Sequence, residues 1–264
     1  MTTLFMAPAG QLRLKVALYG DPGTGKTAAA LTFPRVALVD SERGYQFHAT
    51  QPCGVVAART LDDLDAAINA IRADAGTSFD TLVVDSLTNL IAAERGAARR
   101  PDGALTYKDH AVINLRLRAL YVTLAALPCH VVVIAHEDDS YTAEGGTLKK
   151  TGRGASMDKS AAYAFDFILH MRQGYRAAVA KSRADALPHG HLLDRVTYDE
   201  LLAASQPGDL RNNGTARAFY TYWTARGFTK EAILTALGVG KLSEYADGRT
   251  AADGIMSSLK ESQT

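Results

Sequence analysis

Cysteine is nearly missing from this 264-residue chain: Cys53 and Cys129 are far apart and fit neither CxxC nor a Cys/His ligand spacing. A disulfide scaffold and a structural zinc site are therefore poor readings, and a reducing compartment fits better. Charge of one sign is missing too, with 29 Lys and Arg against 28 Asp and Glu and a formal net charge of +1. Such a balance neither favours nor excludes a nucleic-acid partner, which depends on where cations cluster. No apolar run approaches the roughly 20 residues of a membrane span. The opening MTTLFMAPAGQ lacks the basic start of a secretory signal. A cytoplasmic protein without membrane contact is expected. What is present is ordinary for a globular chain, 47% apolar and 22% charged, enough for one medium domain and a small appendage.

Short runs rich in β-branched residues, LKVALY (14–19), RVALVD (35–40), TLVVDS (81–86) and HVVVIAH (130–136), read as strands buried on both faces. Between them, 61–74 and 109–127 carry helical apolar spacing. That alternation predicts an α/β fold with a mostly parallel central sheet flanked by helices. Segments 164–172 and 175–183, parted by a Gln-Gly turn, read as an antiparallel pair extending the sheet. The organisation expected is a core over 1–205, a polar Pro/Gly/Asn-rich linker over 206–213 and a small helical domain over 214–264.

GDPGTGKT (20–27) fits GxxxxGK[ST] at every fixed position, after a strand and before the helix-like KTAAALTF. Its chemistry explains the pattern. Glycines let backbone N–H groups turn inward around phosphate oxygens, and the following helix presents its positive end. Gly20, Asp21, Pro22, Gly23, Thr24, Gly25, Lys26, Thr27 and Ala28 are the expected nucleotide-binding residues. Lys26 would reach the β- and γ-phosphates and Thr27 would ligate Mg²⁺. Asp85, at the end of TLVVDS, would complete the metal site through water. It could also cap the next helix, a role Ser86 fills equally well.

Other residues carry two readings each. Glu42, just past the second strand in VDSERG, could polarise an attacking water or be a surface glutamate. His136, ending VVVIAH, could sense the γ-phosphate or be a satisfied strand-end histidine. HEDDS lacks the second histidine of HExxH, which excludes a zinc protease. Lys181 and Arg183 alternate around Ser182 and share one strand face, either a solvated edge or a pair reaching a neighbour's γ-phosphate.

The ordered set of motifs over roughly 12–200 resembles the RecA-type recombinase ATPase core, particularly its short phage-encoded versions. The resemblance implies a Walker A loop at Gly20–Thr27, a Walker B aspartate at Asp85, a catalytic glutamate at Glu42 and a γ-phosphate sensor at His136. It likewise implies paired trans-acting cations at Lys181 and Arg183. The family usually has glutamine at the sensor position; histidine also bonds phosphate, but its charge varies near neutral pH. An AAA+ motor usually has Asp-Glu at the Walker B site, whereas Asp85 is followed by Ser86, which favours the RecA branch over AAA+.

Such cores bind DNA through loops after the third and fourth core strands. Here 137–160 reads as a long Gly-rich loop with no secondary-structure period, carrying Lys149, Lys150, Arg153 and Lys159. A solvated loop is the competing reading. Arg95, Arg99, Arg100, Lys108 and Tyr107 make 94–109 a weaker candidate, since a charged helix end looks the same. LGVGK (237–241) resembles the GhG turn of helix-hairpin-helix modules, with Glu244 where a small residue is usual. The reading is a Mg²⁺- and ATP-dependent ATPase binding single-stranded DNA in recombination or strand annealing, in host cytoplasm if phage-encoded. It would be a homo-oligomeric filament or ring with ATP at the subunit interface, and a single-strand DNA-binding protein is a candidate partner. The alternatives are a helicase-like or helicase-loading motor, and an ATP-gated binding module with little hydrolysis.

Overall fold

The computed structural model describes residues 12–48, 53–74, 76–101, 103–144, 147–184, 186–205, 213–224, 227–245 and 248–261. The segment 206–212, most of the expected linker, lies outside them. The core opens with β1 (Lys15–Tyr19), α1 (Lys26–Ala30), β2 (Val36–Asp40), β3 (Gly54–Ala57), α2 (Leu61–Asp74), β4 (Thr81–Asp85) and α3 (Leu87–Ala97). It continues through α4 (Tyr107–Ala125), β5 (His130–Ala135), β6 (Glu137–Glu144), β7 (Thr147–Ala155), α5 (Ala161–Ala164) and β8 (Phe167–Met171). β9 (Ala177–Ser182), β10 (Leu192–Leu193) and α6 (Tyr198–Ser205) close it.

Eight strands form one sheet in the order β10-β9-β8-β1-β5-β4-β2-β3. β8, β1, β5, β4, β2 and β3 run parallel, and β9 and β10 add antiparallel pairs at one edge. The expected mostly parallel α/β architecture is therefore present. Successive side chains of β1 go to opposite faces, as the two-residue period requires. Ala17 and Tyr19 join the layer of α2, α3 and α4, whereas Val16 and Leu18 join that of α1 and α6. Val16, Val83, Val132 and Val133 are fully buried, each contributing roughly 1.5–3 kcal/mol.

Three expectations need correction, and one strand was not anticipated. α4 begins at Tyr107 rather than 109 because Thr106 and Asp109 form a capping box, Thr106 N–H donating to Asp109 Oδ2 at 2.7 Å. Segment 164–172 is not one strand; α5 ends at Ala164, and β8 starts only at Phe167. β3, a short edge strand whose Val55 and Val56 are exposed, escaped notice because nothing buries it on two sides. Finally, 137–160 is not a structureless loop: β6 and β7 pair antiparallel as a separate two-stranded sheet. Its sequence carries no apolar alternation that would mark the pairing, although Ala155 at its end packs against the sheet core.

At the C-terminal end α7 (Asn213–Thr224), α8 (Lys230–Leu237) and α9 (Gly248–Glu261) enclose a separate core including Phe219, Trp223, Ile233 and Met256. Trp223 Nε1 donates to Asp253 Oδ1 at 2.7 Å, and Tyr222 stacks on His191 of the sheet domain with ring centres 5.6 Å apart.

Candidate functional site

β1 ends at Tyr19 and the phosphate-type loop follows at the C-terminal edge of the sheet. Gly20 is needed there because a Cβ would lie 2.4 Å from the Met171 carbonyl oxygen of neighbouring β8. Lys26 Nζ donates to the carbonyls of Gly20 (2.9 Å) and Asp21 (2.8 Å), lying across its own loop. Thr24 Oγ1 donates to the Asp21 carbonyl and tightens the turn. Burial lowers the Lys26 pKa, against the opposing pull of Asp85, Glu42, Asp21 and Glu137.

Thr27 Oγ1 donates to Asp85 Oδ2 at 2.6 Å, joining the loop to the end of β4. Asp85 is buried, and that burial pushes its carboxyl up to about 6, aided by Glu42 and Asp40 and opposed by Thr27 and Lys26. A buried carboxylate beside a hydroxyl suits a hard divalent cation, whose charge would restore the ionised form. Among the described residues no cluster of three or more His, Cys, Asp and Glu could hold a metal. Thr27 and Asp85 are the side chains at this place that could contribute to a Mg²⁺ site.

Glu42 and His136 face each other across the cleft, Oε1 to Nε2 at 2.5 Å, and both side chains are partly exposed. Asp40 positions the glutamate by accepting from the N–H groups of Glu42 (2.9 Å), Gly44 and Tyr45. Ser41 ties this loop to the Walker-type strand: its N–H donates to the Asp85 carbonyl, and its Oγ donates to the Ser86 carbonyl. His136 Nε2 also lies 3.3 Å from Ser86 Oγ, and its backbone N–H donates to Thr88 Oγ1. Ser86 occupies the N-cap position of α3, yet makes no side-chain capping bond there.

Arg153, expected to serve DNA, reaches the phosphate loop. Its Nη2 pairs with Asp21 Oδ1 at 2.8 Å, and its Nη1 lies 3.8 Å from Glu137 Oε2. Glu137 in turn meets His170 Nε2 at 3.2 Å, and His170 stacks on Tyr19. Lys150 pairs with Asp139 across the hairpin at 2.7 Å, while Lys149, Lys150 and Lys159 have exposed side chains.

Lys181 and Arg183 stand near the opposite end of the sheet. Ser182 is level with Phe167 and Val16, whereas Ala177 is level with Met171 beside the loop. Lys181 Nζ donates to the Phe165 carbonyl, and Arg183 pairs with Asp166 (3.1 Å) and donates to the Tyr163 carbonyl. Both point away from this chain's own phosphate loop. In the C-terminal helices, the N–H groups of Gly240 and Lys241 donate to Glu244 Oε2 at 3.1 and 3.2 Å. A side chain of the chain itself thus fills the place a phosphate would take in a GhG turn.

The sequence reading missed Asp40, Ser41 and Glu137. The first two carried a signal: VDSERG puts an Asp and a Ser at a strand end, the pattern of side chains that bond a following turn. Glu137 carried none, being one acid among three in HEDDS.

A family model described as "AAA domain" matches residues 12–189. Among solved structures, that of the RadB recombinase is similar at 19% identity, over 69% of this chain and 89% of that one, with a TM-score of 0.43. No curated protein matches.

Proposed function

The chain belongs to the AAA domain family of P-loop NTPases, and from that premise we propose a Mg²⁺-dependent ATPase whose nucleotide state controls its grip on single-stranded DNA, in recombination or strand annealing. One observation carries the coupling: the 137–155 hairpin is tied to the nucleotide site at both ends. His136, immediately before β6, meets Glu42, and Arg153 on β7 meets Asp21 of the phosphate loop. A change of partner at either tie would shift the hairpin that carries Lys149 and Lys150.

Bound Mg²⁺ would supply charge neutralisation for the phosphates. The chain's own residues do the rest. Lys26, now on two loop carbonyls, would bind phosphate oxygens, and Thr27 and Asp85 would hold the cation. Glu42, held by the Asp40 turn, accepts a proton from the attacking water. Lys181 and Arg183 cannot serve this chain's own loop from the far end of the sheet, so their catalytic role requires a second copy. On that reading the nucleotide would lie between subunits of a filament or ring.

ATP turnover with Mg²⁺, with and without single-stranded DNA at two salt concentrations, tests the proposal. Stimulation by DNA that fades as salt rises is expected, because cations on the hairpin would exchange counterions for phosphates. Turnover indifferent to DNA would overturn the DNA partner and leave the nucleotide site standing.

A further inference from the structure

We propose that Tyr175 is the stacking platform for the base of the bound nucleoside triphosphate, an inference that rests on the nucleotide reading above. The β8–β9 turn places its ring directly on the phosphate loop. A Cβ built on Gly25 would lie 2.2 Å from Tyr175 Cδ1 and 2.6 Å from Cε1, so only glycine leaves room for the ring. Tyr175 is nonetheless 54% exposed and takes no part in a core cluster.

The backbone at this position is unusual for a tyrosine. Gly174 has φ 76 and ψ 26, and Tyr175 has φ 63. Arg172 N–H closes the turn on the Arg176 carbonyl at 2.7 Å. Two successive residues with positive φ belong to a hairpin turn that normally takes Asn, Asp or Gly. A side chain with a Cβ is disfavoured there, and burial of this ring in a core does not compensate. What the conformation achieves is aim: the ring reaches Gly25.

The sheet order says which part of a nucleotide would meet it. Asp85 on β4 and Glu42 after β2 lie on one flank of β1, and the β8–β9 turn lies on the other. The metal and the attacked phosphate belong to the Asp85 and Glu42 flank. The base end therefore leaves toward β8, where a flat aromatic face beside the phosphate loop suits a purine.

Calorimetric titration of the full chain with Mg-ATP and with Mg-tripolyphosphate, which lacks base and sugar, tests the assignment. Tyr175→Ala is expected to weaken ATP about tenfold while leaving tripolyphosphate affinity unchanged, and Tyr175→Phe to retain ATP affinity. Tyr175→Gly removes ring and backbone strain together, so its thermal midpoint should equal or exceed that of the parent while ATP loses its advantage. Equal weakening of ATP and tripolyphosphate by Tyr175→Ala, or a lowered midpoint in Tyr175→Gly, would make the ring a structural prop and overturn the proposal. Unchanged ATP affinity in Tyr175→Ala would overturn it as well. Failure of the parent protein to bind either ligand would instead bring down the nucleotide site itself, and the platform with it.

Discussion

The two ends of the sheet hold the same residue types in opposite circumstances. At the N-terminal end Lys15 is buried, its Nζ donating to the carbonyls of Leu127 (2.7 Å) and Cys129 (2.5 Å) while its N–H donates to Asp166. His130 is buried too; its Nδ1 accepts the Leu14 N–H at 3.0 Å, and burial drives its pKa down to about 4. At the C-terminal end Lys26 and Asp85 bond the phosphate loop, and His136 meets Glu42. The lower groups are buried beneath the sheet. Above, Lys26 and His136 are less enclosed, and the upper groups hold partners that a phosphate or a cation would replace on the proposed reading. Both lysines bond two backbone carbonyls, those of Lys15 deep under the sheet and those of Lys26 in its own loop, so surroundings rather than residue or partner type separate the two ends.

The sharpest way to break that comparison is to remove each lysine. Lys26→Ala should cut ATP turnover at least about 100-fold, since it deletes a cation aimed at developing charge, while the urea midpoint stays near that of the parent. Lys15→Ala should do the reverse, costing about 2–4 kcal/mol by orphaning the two carbonyls that its ammonium satisfies, while the backbone bond to Asp166 stays. Nucleotide affinity of the folded protein should persist. Stability lost equally in both variants would dissolve the distinction.

A second contrast lies in pH. Asp85 has its pKa raised in the folded state, so the folded chain binds the extra proton between about pH 4 and 6, and stability falls as pH rises through that window. His130 has its pKa lowered, so the unfolded chain binds the extra proton between about pH 4 and 6.5, and stability rises with pH. The two slopes oppose each other. Asp85→Asn should uncover a rise of about 3 kcal/mol across that range in urea titrations, and His130→Asn a fall of similar size. Parallel slopes in the two variants would mean that one end has been misread.

What the sequence disclosed follows the same division. The strands flanking the site were legible because burial on both faces leaves continuous apolar runs, and GDPGTGKT and Asp85 because phosphate and metal chemistry demands those types at strand ends. Lys15 inside LKVALY showed only as a blemish in a strand; its carbonyl partners lie more than 110 residues away. The hairpin hid because no apolar face records its period. Arg153 hid its partner for a related reason: a cation in a polar hairpin looks the same whatever it faces, and only the folded chain brings residues 21 and 153 together.

That pair supplies the smallest and most diagnostic effect. Arg153 and Asp21 are both well exposed, so the bond resembles surface pairs that add little to stability. Arg153→Ala should leave the thermal midpoint nearly unchanged. If the pair is an exchangeable tie, its loss should lower DNA stimulation of turnover by a few-fold, about what a coupling free energy near 1 kcal/mol produces, with little change in turnover without DNA. Asp21→Asn should reproduce the loss, and the double variant should be no worse than either single one, because both break one bond. A midpoint that drops as in Lys15→Ala would move Arg153 to the structural side of the molecule. Additive losses in the double variant would show instead that Arg153 meets DNA directly, as a cation in a mere surface hairpin would.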